Sequence, residues 1–428
     1  MSILNTGDTA FMLLCTALVL LMTPGLALFY GGLVRERNML TIMLQNFICM
    51  GVIAIIWVFG GFSLAFGDDI AGVIGSLSQY FGMYHIGAVP NEHYASSIPF
   101  IIFFAYQMMF AIITPALMTG AFAGRLQFPA YLKFIILWSL LVYIPVAHWM
   151  WGGGFLSTIG AVDFAGGIVV HTTAGMSALA AAVYVGKRRS TRLGETESAA
   201  SLPLVAIGAG LLWFGWFGFN SGGAYAANQL AAYAFTNTTL AGSTAMLMWM
   251  FWEWRENGRP SFSGTLVGAV AGLATITPAA GYVEPASAIF IGLIGATACY
   301  FAKAIQKKLG VDDALEVWRA HGVGGILGSL LVGLLASDAI DEVQAGASQF
   351  LIQLVAVVVV AIYSWFITTL ILKIIDRNGS LKVPDDIQES GLDYAELGSN
   401  AYSRDDAKPV SQATQTKQQE RPEDKHTK

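Results

Sequence analysis

The chain has 428 residues and a net charge of −5; 55% of the residues are apolar and only 12% charged, about half the charged share of a soluble protein. The charges are clumped, so that residues 38–67, 93–124, 134–162, 164–186, 198–252, 260–283, 285–302, 320–337 and 343–372 contain no Asp, Glu, Lys or Arg. Uncharged apolar runs of about 18 residues or more read as membrane spans, which predicts a polytopic membrane protein and excludes a soluble enzyme, a nucleic-acid binder and a secreted disulfide scaffold.

Eleven spans are predicted, at about 8–34, 38–66, 97–123, 128–149, 161–186, 203–220, 228–254, 260–278, 285–306, 314–336 and 348–376. All should be helices, because a helix satisfies its own backbone polar groups in lipid, and the fold class is therefore all-α. The 198–252 run is too long for one helix, and Asn220-Ser221-Gly222-Gly223 is read as the loop that divides it. Span one has no basic stretch before it and is read as retained, not as a signal peptide. Cys15, Cys49 and Cys299 all lie in apolar segments and are read as small buried residues. No metal and no cofactor are expected.

Lys and Arg set the orientation. Arg35, Arg37, Arg125, Lys133, Lys187, Arg188, Arg189, Arg192, Arg255, Arg259, Lys303, Lys307, Lys308, Lys373 and Arg377 fall on alternate connections, whereas the other set carries Asp68, Asp69, Glu92, Glu284, Asp338, Asp341 and Glu342. The positive-inside rule then puts the N-terminus outside and the C-terminus in the cytoplasm. Residues 1–376 form the membrane part and 377–428 a cytoplasmic tail. Beyond Ser403 that tail is polar and expected to be disordered.

Five plus five spans predict an inverted repeat, since spans 1–5 start outside and spans 6–10 inside. Spans five and ten each hold one histidine, His171 and His321. Each lies eight residues beyond an aspartate, Asp163 or Asp313, which is about 12 Å along a helix. In a hydrocarbon core of about 30 Å the two imidazoles approach the middle from opposite faces and are expected to meet. Asp163 reads as a helix cap that also makes its end attractive to cations. Phe110, Trp149, Trp151, Trp216 and Phe219 lie near outer span ends, either as an interfacial aromatic belt or as a cation–π cage.

The run Pro145-Val146-Ala147-His148-Trp149-Met150-Trp151-Gly152-Gly153-Gly154, then Asp163-Phe164-Ala165-Gly166-Gly167 with Val170-His171, strongly resembles the bacterial ammonium transporter (Amt/Mep/Rh) family. So do Ala27-Leu28-Phe29-Tyr30-Gly31-Gly32, Gly215-Trp216-Phe217-Gly218-Phe219-Asn220, Thr277-Pro278-Ala279-Ala280-Gly281-Tyr282 and His321-Gly322-Val323-Gly324-Gly325, within a match from about Ala10 to Tyr402. The resemblance implies an eleven-helix homotrimer in the cytoplasmic (inner) membrane, with one narrow pore per subunit. It implies an outer cation site of Trp151 and Phe110 supported by Asp163, a gate of Phe110 and Phe219, and a pore lined by His171 and His321. Thr277 matches a further residue near the entrance. Two positions depart from the family: its usual outer-site serine falls at Gly223, and Arg319 stands where glycine is usual. Arg319 is expected to point away from the pore and pair with Glu316, three residues back. The segment from Lys382 through Gly391 and Asp393 to Tyr402 resembles the family's regulatory tail, where a PII-type signal protein docks in many members. The expected function is ammonium/ammonia transport: the cation is deprotonated at the gate, NH3 crosses, and the histidines relay the proton. The alternative is an ammonium receptor that signals through its tail with little flux. Neither an enzyme nor a nucleic-acid partner is expected.

Overall fold

The computed structural model describes residues 4–377, 379 and 381–402, so the disorder expected beyond Ser403 lies outside the described residues. Among the described residues, nine helices are long and apolar enough to cross a membrane. In chain order they are α1 (Thr6–Leu33), α2 (Glu36–Phe66), α3 (Phe100–Phe122), α4 (Phe128–Thr158), α5 (Gly167–Val185), α6 (Leu202–Ala224), then α9 (Pro285–Leu309), α10 (Trp318–Leu335) and α11 (Ala347–Arg377). Two further helices, α7 (Gln229–Asn257) and α8 (Phe262–Ile276), fall at the remaining expected positions. The chain is a helical, multi-pass membrane protein. Leu13, Leu14, Ile55, Phe214, Leu351 and Phe366 remain exposed on the helix flanks, as a lipid-facing surface requires.

Helices in corresponding places of the two halves pack against each other through glycine. Along α1 and α6, a Cβ at Gly208 would lie 2.3 Å from the Phe29 nitrogen and one at Gly32 2.6 Å from the Ser201 oxygen. Where α5 crosses α10, a Cβ at Gly175 would lie 2.1 Å from the Cα of Gly322. Small residues at these crossings let the backbones touch, and packing of this kind replaces the hydrophobic effect as the force between helices in lipid.

Two helix starts differ from expectation. Helix α5 begins at Gly167 and not near 161, because Asp163 to Gly166 form a lead-in that ends with Gly166 at φ +112°. Helix α10 begins at Trp318 and not near 314, after Glu316 turns at φ +62°. Both helices open with a π-helical turn, Gly167–Thr172 and Trp318–Val323, and each turn carries the histidine. A π turn widens the backbone locally and is common at functional sites.

Helix α8 stops after 15 residues, about 22 Å, short of a 30 Å core. The chain then runs as irregular backbone from Thr277 to Glu284 at depth. Asn237 of α7 satisfies this stretch by donating to the carbonyls of Ala280 at 2.9 Å and Val283 at 2.7 Å. Non-helical backbone is tolerated at such depth only where protein covers it.

The described tail lies against the end of the bundle that carries the basic connections. Val383 and Gln127 exchange backbone bonds with Arg125 and Leu381, and two short helices follow, α12 (Asp385–Ser390) and α13 (Leu392–Leu397). Leu381, Val383 and Leu392 are buried. At the same end, Arg188 holds the Asp312 carboxylate through Nη2 at 2.7 Å and Nε at 3.0 Å, which joins the connection after α5 to the one before α10.

Candidate functional site

The histidines meet in the middle of the bundle. His171 Nδ1 and His321 Nδ1 are 3.3 Å apart, and both rings are buried. The proton positions follow from what surrounds them. The Thr277 hydroxyl donates to the Leu273 carbonyl at 2.7 Å, which uses its one proton. It accepts from Trp216 Nε1 at 2.9 Å, and His171 Nε2 lies 3.3 Å away. His171 must therefore donate through Nε2, so in the neutral ring Nδ1 is an acceptor. His321 then donates through Nδ1, which leaves its Nε2 as a lone pair. The network orders four groups, from Leu273 through Thr277 and His171 to His321, and ends on an unoccupied acceptor. Thr277 lies beside His171, just past the end of α8.

Above the histidines stands a column of rings. The rings of Phe110 and Phe219 stack with centroids 4.2 Å apart at 29°. Phe110 meets Trp151 edge-on at 5.9 Å, and Phe219 stacks on His171 at 5.9 Å. The Tyr106 hydroxyl donates to the Phe219 carbonyl at 2.7 Å and fixes α3 to α6 at this level. Below the stack is a narrow cavity lined by Phe219, His171, His321, Trp216, Ile113 and Leu315, among others. It offers about 20 Å³ to a water-sized sphere, room for one such molecule.

Asp163 lies at the acidic end of the column, buried to 5% exposure. Its carboxylate accepts four backbone N–H groups: Gly166 at 2.8 Å, Gly167 at 2.7 Å, Ile168 at 2.7 Å and Val169 at 3.0 Å. Both oxygens are thus committed to the start of α5. The link to the aromatic site runs through the backbone: Trp151 Nε1 donates to the Asp163 carbonyl at 2.9 Å. The residue builds the site without offering its charge directly.

Gly223 lies at the end of α6, where a Cβ would approach the Phe164 carbonyl to 2.6 Å. Arg319 is buried away from the cavity. Its Nη1 pairs with Glu316 at 2.5 Å, its Nε donates to the Cys299 carbonyl at 3.1 Å, and its guanidinium faces the Trp249 ring at 5.2 Å. In the tail, the Asp393 carboxylate accepts from Leu40 N at 2.9 Å and from Thr41 N and Oγ1, each at 2.8 Å, at the start of α2. Gly391, at φ +106°, has no room for a side chain: a Cβ would meet that of Arg37 at 2.4 Å.

Gln107 and Tyr225 belong to no motif, yet they stand beside the column. Gln107 Nε2 donates to the Tyr225 hydroxyl at 2.7 Å. The available sequence signal was a glutamine three residues before Phe110 in an otherwise apolar span.

Among the described residues, no group of three or more His, Cys, Asp or Glu could hold a metal ion. Residues 10–402 match the Ammonium Transporter Family. The chain is 45% identical over 406 residues to an ammonium transporter of Aquifex aeolicus, covering 94% of each. Its fold is similar to that of Candida albicans Mep2, with a TM-score of 0.85, 33% identity and 93% of each chain covered. It is equally similar to a sensor Amt protein, with a TM-score of 0.85, 28% identity, and 91% of this chain and 98% of that one covered. A multi-pass helical bundle matched over nearly its whole length in this way leaves one assignment: the chain belongs to the ammonium transporter family, a family of transporters and not of enzymes.

Proposed function

We propose that the protein moves ammonium across the cytoplasmic membrane by separating it into NH3 and a proton. The cation rests against Trp151 and Phe110 at the acidic end, which the positive-inside rule puts outside. Aromatic faces attract it there through the ring quadrupole. NH4+ and K+ have similar size and charge, and a dry pore penalises both. Only NH4+ can give up a proton, to the histidine pair just past the Phe110–Phe219 gate, and continue as a neutral molecule. The proton enters the pair at Nε2 of His321, its one free lone pair, and the Nδ1–H of His321 passes across the 3.3 Å contact to Nδ1 of His171. NH3 occupies the single-molecule cavity and accepts from the Nε2–H so formed. If the proton follows NH3, the membrane potential contributes about 2.3 kcal/mol per 100 mV.

The observation that carries this reading is the continuous column Trp151–Phe110–Phe219–His171–His321 ending on an unoccupied acceptor. Arg319, paired with Glu316, leaves the cavity uncharged. The resemblance to the family adds a homotrimer. It also adds a PII-type signal protein at the basic, cytoplasmic face, where Gly391 and Asp393 hold the tail.

Currents from reconstituted protein under an ammonium gradient test the reading. The parent should give an ammonium-dependent current and none with potassium, and apolar residues in place of both His171 and His321 should abolish the current or its potassium exclusion. An unchanged current with intact exclusion in that variant would refute the relay. The second reading, a receptor with little flux, draws on the likeness to the sensor Amt protein. It requires ammonium to change binding at the tail while the parent passes no current.

A further inference from the structure

The acidic-end site lacks the hydroxyl that serine at position 223 would give, and Gly223 cannot regain it freely because a Cβ would press the Phe164 carbonyl at 2.6 Å. An aromatic pair alone gives a cation no oxygen to bond, and NH4+ keeps N–H groups that lose water as it leaves solution. Leaving them unpaired is costly.

One helical turn from Phe110 is an oxygen with nothing to bond. Gln107 is 2% exposed, and its Oε1 has no hydrogen-bond partner. A buried acceptor without a partner calls for an explanation, and of those among the described residues, which include Asn46, Asn220 and Asn237, Gln107 is the one a turn from Phe110. Gln107 lies three residues before Phe110 on α3, hence on the same helix face one turn away. Its Nε2 meets the Tyr225 hydroxyl at 2.7 Å, a contact that would serve either orientation of the amide, so the neighbouring charge decides between them. Reversing it would put two N–H donors where the oxygen now lies, next to a site for a cation.

Tyr225 is itself held in place. It follows the Gly222-Gly223 pair with φ at +52°, a left-handed conformation uncommon for a side chain of this size. Its ring packs on Phe103 at 5.3 Å and edge-on to Tyr106 at 5.9 Å. Tyr106 in turn lies edge-on to Phe110 at 4.9 Å. The end of α6 that lacks the hydroxyl is thus followed, two residues later, by the group that bonds this amide.

We infer that Gln107 is the oxygen ligand for ammonium at the acidic-end site of this chain, with Tyr225 as the positioning residue that keeps Oε1 free for the cation. The inference rests on the recruitment of NH4+ at Trp151 and Phe110. It assigns to α3 the bond for which the end of α6 has no side chain.

The test is the ammonium dependence of the current in reconstituted full-length protein. Gln107→Leu should raise the half-saturating ammonium concentration tenfold or more, a larger factor than any change in maximal current. Tyr225→Phe leaves the glutamine whole but frees its amide, and should raise half-saturation about threefold to tenfold. Half-saturation within twofold of the parent in a folded Gln107→Leu protein would overturn the inference. If that variant does not fold, Tyr225→Phe decides: a shift of threefold or more supports the inference, and a smaller one overturns it. A parent without any ammonium-dependent current would instead remove the transport reading on which the inference depends.

Discussion

Replacing Thr277 by valine keeps the side-chain shape and removes one oxygen. In the structure that oxygen accepts from Trp216 Nε1 at 2.9 Å and His171 Nε2 at 3.3 Å, and donates to the Leu273 carbonyl at 2.7 Å. The Leu273 carbonyl, in the last turn of α8, loses its bond from the hydroxyl. The two donors are stranded in the dry centre of the bundle. Each unsatisfied buried donor costs roughly 1–3 kcal/mol, so the variant should lose about 2–6 kcal/mol. A second consequence is chemical. Without the hydroxyl nothing requires His171 to carry its proton on Nε2, the order of donors along the network is lost, and the His321 acceptor is no longer assured. Thr277→Ser, which keeps the hydroxyl, is the control. Thermal unfolding of the purified protein and ammonium-driven current in liposomes measure the two consequences separately. A valine variant that matches the serine variant in both would refute the assigned proton order.

Three further outcomes are expected. Asp163→Asn exchanges one carboxylate oxygen for an amide that cannot accept, and so forfeits two of four charge-assisted bonds at the start of α5, about 3–6 kcal/mol; a melting temperature equal to the parent's, with transport lost, would show that the charge and not the cap matters. Gly223→Ser should lower thermal stability and fail to tighten ammonium binding, because its Cβ meets the Phe164 carbonyl; a lower half-saturating concentration would contradict this. Burial pushes the Asp313 carboxyl up to about 6, against the Trp318 N–H that holds it down. Its stabilising contribution is then full below its ordinary value near 4 and lost as pH rises through 6, so Asp313→Asn should gain on the parent by up to about 3 kcal/mol between pH 3 and 7 in unfolding measurements; a pH-independent difference would refute the sign.

How far the site could be read from sequence depended on regularity. The two histidines could be given a depth because each follows an aspartate at a helix start and helices rise at a constant rate. The actual starts, Gly167 and Trp318, lie four or five residues beyond those aspartates, yet the rings still meet, because the lead-ins are displaced alike in both halves. Thr277 could not be given a depth, since nothing in its neighbourhood announces that α8 ends after 15 residues and that irregular backbone continues inside the bundle. Gly223 was legible as a missing hydroxyl but not as a filled space, which depends on Phe164 from another segment. Gln107 was invisible for a related reason: a single amide in an apolar helix is informative only once its oxygen is seen to lack a partner.

The contact between Gly175 and Gly322 sets a mechanical tolerance. Backbone meets backbone there, four residues beyond His171 and one beyond His321, and no side chain lies between to rotate or compress. The separation of the two imidazoles is therefore referenced to main-chain atoms, which move far less than rotamers do. Even one methyl group at position 175 would act as a wedge, with 2.1 Å available to it, and would spread α5 from α10 at the level of the rings. The gap that the proposed proton relay would cross is thus held by the stiffest parts of the molecule.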